Sequence, residues 1–541
     1  MPGPLNRNAA PTLQPDISML TSLDHTVSDR IVLPLRLLLL LCLGVGLIYY
    51  VAVSIHWPIV WDAAVMHYVS LLMDHGMRPY ADITDSNMPG TYITERLAMH
   101  LFGGGDLAWR LYDLFLCAAL TLATTVIARP YDWLAGIYAG AFFTIFHGSD
   151  GPRFTGERDL VMTVLLVCAL AFLLTTLRRA RAFWMLPFCV ASGMAAAIKP
   201  TSAPLAVILF VTAVIIVRRR RSVSLLQFLA WSAGGVAIVA VIVFGFLLQN
   251  HALHALLFVM RELLPSYVSL RQLGAAELIR SILPNSVTLL LALAILLALW
   301  NRGWSAERWL ILVCTVFGAV SYFSQRKGFP YHRYPLLAFL FLFMGLEFLL
   351  GLRRKGISRC VSAAALGLFM FLSLPHLLHS MRPQSKSFPI NLSQGLASDL
   401  NRFGTDRLQG EVECYDLTYG CFSALYHLGL VQPNGFTGDL LFFSPTDTPA
   451  VDFYRKMFWR VNASKPAGVL VITNQWFQES NSFEKLKAWP EFDEYLQANY
   501  TLALARSFPV DDQPPGPNDP PRPAYRIYVR NGLSFLPDQL R

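Results

Sequence analysis

The sequence predicts an α-helical polytopic membrane protein of about eleven transmembrane helices, followed by a small α/β domain outside the cytoplasm. Of its 541 residues, 54% are hydrophobic and only 15% are charged, whereas soluble proteins carry about 25% charge. Many apolar runs are about 20 residues long, which is enough to cross a bilayer. Basic residues cluster in short segments between these runs, as in cytoplasmic loops. Together these features predict a chain that is embedded in a lipid bilayer.

The net charge of +9 does not indicate a nucleic-acid partner. The basic residues lie in short clusters between apolar runs instead of forming one basic stripe on a soluble surface. The bilayer is therefore the expected surrounding, and no nucleic-acid partner is predicted.

Eleven apolar runs are predicted to cross the membrane. They lie near 31–55, 107–128, 133–149, 159–177, 182–198, 202–217, 224–248, 280–300, 308–324, 334–352 and 360–377. The basic clusters that should lie inside are Arg178, Arg179 and Arg181, then Arg218 to Arg221, then Arg353, Arg354 and Lys355. This placement gives a cytoplasmic tail (1–30), a transmembrane domain (31–378) and an outside domain (379–541).

The first outside loop, 56–106, is long and carries several acids. Asp62 directly follows the first span and should lie at the membrane surface. An amphipathic helix is expected from Ala63 to Leu72. Glycine and proline then break the chain into turns around Asp82 and Asp85.

Two further outside segments place ionisable groups at the lipid boundary. The segment Gly151–Asp159 ends in Glu157, Arg158 and Asp159 at the head of the fourth span. Such groups are costly there without a purpose, although Asp159 alone could serve as a helix-dipole partner. Lys199 ends the fifth span on the same side, where a lysine could also simply snorkel to the interface.

The segment Gln325–Pro335 adds a cluster of cations that runs against the positive-inside rule. It contains Lys327, His332 and Arg333 within seven residues. A cluster in this position predicts an anionic ligand, with phosphate as the first candidate. An anionic lipid headgroup is the alternative.

Separate carboxylates and a cation cluster at the boundary of water and lipid suit transfer of a sugar from a polyprenyl-phosphate carrier. The phosphate and sugar of such a carrier lie at headgroup depth, and cations stabilise the departing phosphate. One carboxylate acting as base on an acceptor hydroxyl would suffice. Direct displacement would invert the anomeric centre.

At these residues the chain resembles the GT-C superfamily of integral-membrane glycosyltransferases, over about 60–350. The bacterial branch of protein O-mannosyltransferases and lipid A aminoarabinose transferases is the most similar. The matching features are Asp62 after Trp61, the "G-x-x-PY-x-D" stretch ending in Asp82, and "GERD" at 156–159. The Asp–Glu pair common in the mannosyltransferase branch is Asp62–Ala63 here.

The resemblance implies a cavity between the first loop and the membrane bundle, with the active site facing outward. It implies Asp62 as the catalytic base, with Glu157 and Asp159 as secondary acids of the catalytic set. The residues expected to bind substrate are Asp82, Asp85, Arg158, Lys199, Lys327, His332 and Arg333.

The residues after about 380 alternate short β-like runs with helical stretches, which predicts a small α/β domain. Its two cysteines, Cys414 and Cys421, could form a disulfide outside the cytoplasm or remain reduced. This domain is expected to recognise the acceptor or to cover the cavity.

The leading hypothesis is thus an inverting glycosyltransferase of the bacterial inner membrane, with a polyprenyl-phosphate-sugar donor. Its acceptor could be a lipid, a polysaccharide or a protein. No cofactor or metal site is required by residue spacing, although the acids could hold a divalent cation. The alternatives are a transporter or flippase of lipid-linked saccharides, and an inactive scaffold of the same fold.

Overall fold

A computed structural model describes residues 29–221, 223–270, 272–301, 304–381, 388–477, 480–508 and 522–533. The predicted tail 1–30 lies almost entirely outside these ranges. Within them the chain is mostly helical, and four strands form a sheet near the C-terminus.

The first half of the bundle consists of long helices and two shorter ones that belong to the first loop. These helices are α1 (Asp29–Ser54), α2 (Trp61–Asp74), α3 (Pro89–Phe102), α4 (Asp106–Ala128), α5 (Trp133–Asp150), α6 (Arg158–Arg179), α7 (Met185–Ile198), α8 (Ala203–Arg220) and α9 (Leu225–Gln249). Helix α2 covers the segment predicted to be an amphipathic helix, whereas α3 was not predicted and begins at the proline expected to lie in a turn.

The second half contains two helical segments that are each interrupted by a π-helical turn. Its helices are α10 (Leu253–Phe258), α11 (Leu264–Ser269), α12 (Ala275–Ile282), α13 (Asn285–Trp300), α14 (Ala306–Gln325), α15 (Tyr334–Leu352), α16 (Ile357–Leu368) and α17 (Leu374–Met381). One π-helical turn joins α10 to α11 and another joins α16 to α17.

Nine of the eleven predicted spans fall on one helix each, whereas the span 280–300 covers α12 and α13 and the span 360–377 covers α16, a π-helical turn and α17. By length and composition, eight described helical segments can cross a membrane, or nine if α12 and α13 form one span bent by 85°. The bend lies at Leu283–Pro284, because proline cannot continue a helix and restricts the residue before it. The apolar segment Ala182–Ile198 is shorter. The chain is a multi-pass membrane protein.

The end of the bundle away from the cavity described below is held by buried ion pairs. Asp132 pairs with Arg36 at 2.6 Å and with Arg353 at 2.9 Å. Arg178 pairs with Glu307 at 2.6 Å. Arg178 and Arg353 belong to clusters that the sequence predicts to be cytoplasmic, and Arg36 lies near the start of the first span, so these arginines also pack the bundle.

The C-terminal part folds around a four-stranded mixed sheet. Its helices are α18 (Phe388–Arg402), α19 (Thr405–Leu408), α20 (Cys421–Leu428), α21 (Pro449–Ser464) and α22 (Pro490–Asn499). The strands are β2 (Val412–Tyr415), β4 (Val469–Thr473), β5 (Tyr500–Ser507) and β6 (Ala524–Arg530), in the order β2-β4-β6-β5. Cys414 and Cys421 form a disulfide.

The C-terminal domain is packed onto the first loop. Strand β1 (Ile83–Thr84) of the loop pairs in parallel with β3 (Gly435–Phe436) of the domain. A Cβ at Gly435 would meet the Asp82 carbonyl oxygen at 2.1 Å, so the backbones approach as closely as only glycine allows. Tyr68 of the loop accepts a hydrogen bond from the Gln432 amide. The loop and the domain thus share one hydrophobic core.

Glu413 in β2 is a buried acid of this core, and burial raises its pKa to about 7. A folded-state pKa above the unfolded value of about 4.3 means that the fold prefers the neutral carboxyl. This contribution is fully present below about pH 4.3 and is lost as the pH rises through 7.

We therefore expect Glu413→Gln to stabilise β2 at pH 8 by up to about 3 kcal/mol and to change little at pH 4.5. Amide hydrogen exchange of Val412–Tyr415 in the full chain measures this difference. Glu494→Gln, at an exposed position, is the control. Equal effects of Glu413→Gln at both pH values would contradict the raised pKa.

Candidate functional site

Asp62 lies at the beginning of α2, where the chain leaves the first span. The preceding residue, Trp61, has a φ of 63°, a left-handed conformation that costs about 1–3 kcal/mol for a bulky residue. Tyr331 donates a hydrogen bond to Asp62 Oδ2 at 3.1 Å, and Arg158 Nη2 lies 3.8 Å from the same oxygen. The strained turn thus holds Asp62 against groups from two distant segments.

The turn before α6 is fixed from inside the bundle. The Gly156 amide donates to Asp113 Oδ1 at 2.5 Å, and Gly156 has a φ of 62°. A Cβ there would meet the Trp109 ring at 2.4 Å. Asp113 is itself held by Arg110 at 2.6 Å and by His147 at 3.1 Å. This buried cluster places Glu157 and Arg158 at the head of α6.

Glu157 is buried directly behind Asp62. Burial raises its pKa well above the ordinary value, with Asp62 and Asp159 adding to the rise and Arg158 opposing it. Neither of its carboxyl oxygens accepts a hydrogen bond from another described residue. A neutral Glu157 can donate its proton toward Asp62. The raised pKa thus favours the neutral form of Glu157.

Lys199 lies between α7 and α8 and binds Asp159, the second residue of α6. Its Nζ donates to Asp159 Oδ1 at 2.7 Å. Burial lowers the pKa of Lys199, while Asp159 opposes that change. Gly90 of the first loop packs against the backbone of Ala197 and Ile198, where a Cβ would lie 2.4 Å from the Ala197 carbonyl carbon. The loop thus lies directly over this cation.

The cationic side chains of the segment Gln325–Pro335 contact different parts of the structure. Lys327 donates to the carbonyl oxygens of Tyr267, Val268 and Leu270, and burial lowers its pKa to about 8. Its main role in the fold is to hold the end of α11.

His332 and Arg333 also differ from each other. His332 is buried between Phe329 and Tyr331, with ring centroids 5.3 and 4.8 Å away. Its Nδ1 has no hydrogen-bond partner among the described residues. Arg333 instead pairs with Asp150 at 2.6 Å and so turns away from His332.

These segments surround a cavity of about 1090 Å³. One wall comes from the bundle and its loops, and the opposite wall comes from the C-terminal domain. Apolar side chains of the first loop and of α11 lie beside the charged ones. This combination can bind a molecule with an anionic head and an apolar tail.

The structure brings most of the predicted site residues together. Those that line the cavity are Asp62, Asp85, Arg158, Lys199, Lys327 and His332. Glu157 and Asp159 lie just behind that lining and contact it through Asp62 and Lys199.

Two predicted substrate-binding residues lie outside the cavity lining. Asp82 is partly exposed and binds Arg78 at 2.8 Å, and this hydrogen bond lowers the pKa of Asp82. Arg333 is used by Asp150. Asp85 lines the cavity, but its carboxylate binds Tyr92 and the Ser86 amide, which orders the turn before α3. The fold gives these three side chains structural partners.

Several lining residues were not predicted. Arg153 stacks over the Trp61 ring at 5.1 Å, and Tyr331 binds Asp62. Both residues lie in loops that also carry predicted site residues. Tyr267 and the residues from the C-terminal domain carried no sequence signal, because only the folded chain places them at the cavity.

The acids of the site have partners within the chain. Asp62 faces Tyr331 and Arg158, and Asp159 binds Lys199. Among the described residues, the group nearest to metal-ligand geometry is Asp113, Cys117 and His147. It lies inside the bundle, and Arg110 already neutralises Asp113.

Solved structures share this architecture. ArnT from Cupriavidus metallidurans bound to undecaprenyl phosphate is 15% identical with a TM-score of 0.53, and the match covers 92% of this chain and 99% of that one. The chain has a GT-C fold. The apo form of the same ArnT is 14% identical with a TM-score of 0.52, covering 90% and 97% of the two chains. The predicted fold class is confirmed.

An Archaeoglobus fulgidus oligosaccharyltransferase tethered to an acceptor peptide is 12% identical with a TM-score of 0.49, over 87% of this chain and 73% of that one. No family model matches the sequence, and no curated protein sequence matches it. Because the identities are low, the likeness to ArnT concerns the fold alone.

Proposed function

We propose that this chain is a membrane glycosyltransferase that moves a sugar from a polyprenyl-phosphate carrier to an acceptor, on the periplasmic side of the bacterial inner membrane. The observation that carries the proposal is the meeting of Asp62, Arg158 and Lys199 at one cavity, from segments far apart in the chain. The matched ArnT was solved with undecaprenyl phosphate, which supports a lipid phosphate as ligand.

In the proposed reaction, the Asp62 carboxylate takes the proton of an acceptor hydroxyl. The acceptor oxygen then bonds to the anomeric carbon of the sugar as the bond from that carbon to the phosphate oxygen breaks. The electron pair leaves with the phosphate, so the products are glycosylated acceptor and polyprenyl phosphate, with inversion at the anomeric carbon. Arg158 and Lys199 stabilise the charge that develops on the phosphate.

The environment of Asp62 suits a base. Arg158 and the Tyr331 hydroxyl orient its carboxylate. Burial raises the pKa of the neighbouring Glu157 and so favours its neutral form, which would not add a second charge against an anionic donor. The base and the phosphate ligands are thus separate side chains of one cavity: Asp62 is the base, and Arg158 and Lys199 contact the phosphate.

A transporter would use ionisable groups within its spans. Asp113 and Glu347 lie within predicted spans and bind Arg110 of the same helix and Arg308 of a neighbouring helix, respectively. Because both acids have charge partners inside the bundle, this arrangement favours the enzyme over the transporter.

The proposal is tested with the full chain in proteoliposomes that contain a set of polyprenyl-phosphate-linked sugars and receive a cell-envelope fraction as acceptor. Mass spectrometry should detect free polyprenyl phosphate and an acceptor heavier by one sugar residue, neither of which forms in protein-free liposomes. Appearance of intact lipid-linked saccharide in the opposite leaflet, without free carrier, would instead establish a transporter.

A further inference from the structure

The two walls of the cavity differ in charge. Its aspartate, lysine, arginine and histidine side chains all come from the bundle and its loops. The C-terminal domain contributes a second wall, here called the tail wall, which consists of Leu417, Thr418, Tyr419, Thr437, Gly438, Leu440, Leu441, Tyr454, Gln475, Trp476, Phe477, Ser480 and Asn481. Within the described ranges, none of these residues is an aspartate, glutamate, lysine, arginine or histidine.

The charged residues of the domain nearest to this wall are directed away from it. Asp439 and Lys485 are both buried and bind each other. Lys485 also donates to the Gln475 carbonyl oxygen at 3.0 Å. The pair thus supports the tail wall from behind and adds no unpaired charge to the described part of its cavity side.

Aromatic rings form the part of the tail wall that faces the charged segments. Trp476 is half-buried, and its Nε1 donates to the Phe443 carbonyl oxygen at 3.0 Å. Phe477 lies beside Phe329, with ring centroids 6.3 Å apart. A ring fixed in this way presents a rigid flat surface at little entropic cost to a ligand.

A hydrogen-bonded network fixes the polar part of the wall. Gln475 accepts from the Thr418 amide at 2.8 Å and donates to the Thr418 hydroxyl at 3.0 Å. Asn481 donates to the Tyr419 hydroxyl at 2.6 Å and accepts from the Trp476 amide at 3.2 Å. The Thr418 hydroxyl accepts this one hydrogen bond and keeps its own O–H to donate. The network therefore offers preorganised neutral donors and acceptors.

The tail wall is also fixed relative to the charged one. Thr437 donates to the Thr84 carbonyl oxygen at 2.8 Å across the β1–β3 pair. Asp416 accepts from the Tyr419, Gly420 and Cys421 amides, which shapes the turn that carries Thr418 and Tyr419. A ligand held on this wall would therefore lie at a defined distance from Asp62.

We propose that the tail wall binds the acceptor and that the acceptor is a neutral saccharide; this inference rests on the proposed function. A saccharide offers apolar C–H faces to the aromatic rings and hydroxyls to the amide and hydroxyl network. The described residues of the tail wall include no cation of their own that would compensate a phosphorylated or carboxylated acceptor for its lost hydration. The charged wall is left to the donor phosphate.

Binding is measured by saturation-transfer NMR on the full chain in nanodiscs. The probes are maltotriose and N,N′-diacetylchitobiose as neutral saccharides, glucosamine 1-phosphate as an anionic sugar, and an uncharged serine/threonine peptide. We expect saturable binding of a neutral saccharide, weakened roughly tenfold by Trp476→Ala and less by Trp476→Phe, which keeps a ring. Trp309→Ala, at an exposed bundle position, should bind as the wild type does.

Undecaprenyl phosphate binding is measured on the same samples. Preference for the phosphorylated sugar or the peptide would overturn the acceptor assignment, as would unchanged saccharide binding in a folded Trp476→Ala variant. In either case retained undecaprenyl phosphate binding and sugar transfer would leave the proposed function standing. If the wild type neither binds undecaprenyl phosphate nor transfers sugar, the proposed function itself is wrong.

Discussion

Asp62→Asn is expected to lower the rate of sugar transfer by roughly 10²–10⁴-fold, which is the usual contribution of a positioned general base. Asparagine keeps the shape of the side chain and can still accept from Tyr331, but it cannot take the acceptor proton. Release of polyprenyl phosphate from a labelled lipid-linked donor measures the rate. Donor binding should remain, because the neighbouring cations Arg158 and Lys199 are unchanged.

The matched control for this substitution is Asp82→Asn. Asp82 belongs to the same loop and is also an acid, but it lies outside the cavity lining and binds Arg78. Its variant should transfer sugar at nearly the wild-type rate. Full activity of Asp62→Asn would show that another group removes the proton, and a loss of donor binding would assign Asp62 to substrate binding instead.

The architecture could be predicted because its signals are local. Runs of about 20 apolar residues and arginine-rich connections each report on a single span and its orientation. The bend between α12 and α13 has its own local signal in Pro284, but a hydropathy reading merges both parts into one run. Pairing of β1 with β3 joins residues about 350 positions apart, and nothing in either short segment specifies its partner.

The members of the site could be predicted better than their roles. Ionisable residues at a lipid boundary are costly, so Asp62, Arg158 and Lys199 stood out from the sequence. Partner choice is a property of the fold. Lys327 donates hydrogen bonds to three carbonyl oxygens at the end of α11, and Arg333 forms an ion pair with Asp150. The described residues of the tail wall carry no charge, so their sequence could not be told apart from that of an ordinary polar loop.

Lys199 is the cation whose replacement should affect the donor phosphate most directly. Replacement by methionine removes the charge but leaves Asp159 buried without its partner, which should cost about 3 kcal/mol of stability. The informative variant is therefore the double substitution Lys199→Met with Asp159→Asn. It removes both charges, so the fold should recover while the cavity still lacks its cation.

For this double variant we expect a thermal unfolding midpoint near that of the wild type and a roughly 10²–10³-fold slower release of polyprenyl phosphate, since one electrostatic contact to the leaving group is lost. Asp159→Asn alone keeps the cation and should retain most of the transfer rate. If the double variant transfers sugar as fast as the wild type, Lys199 serves only to neutralise Asp159, and stabilisation of the leaving phosphate falls to Arg158.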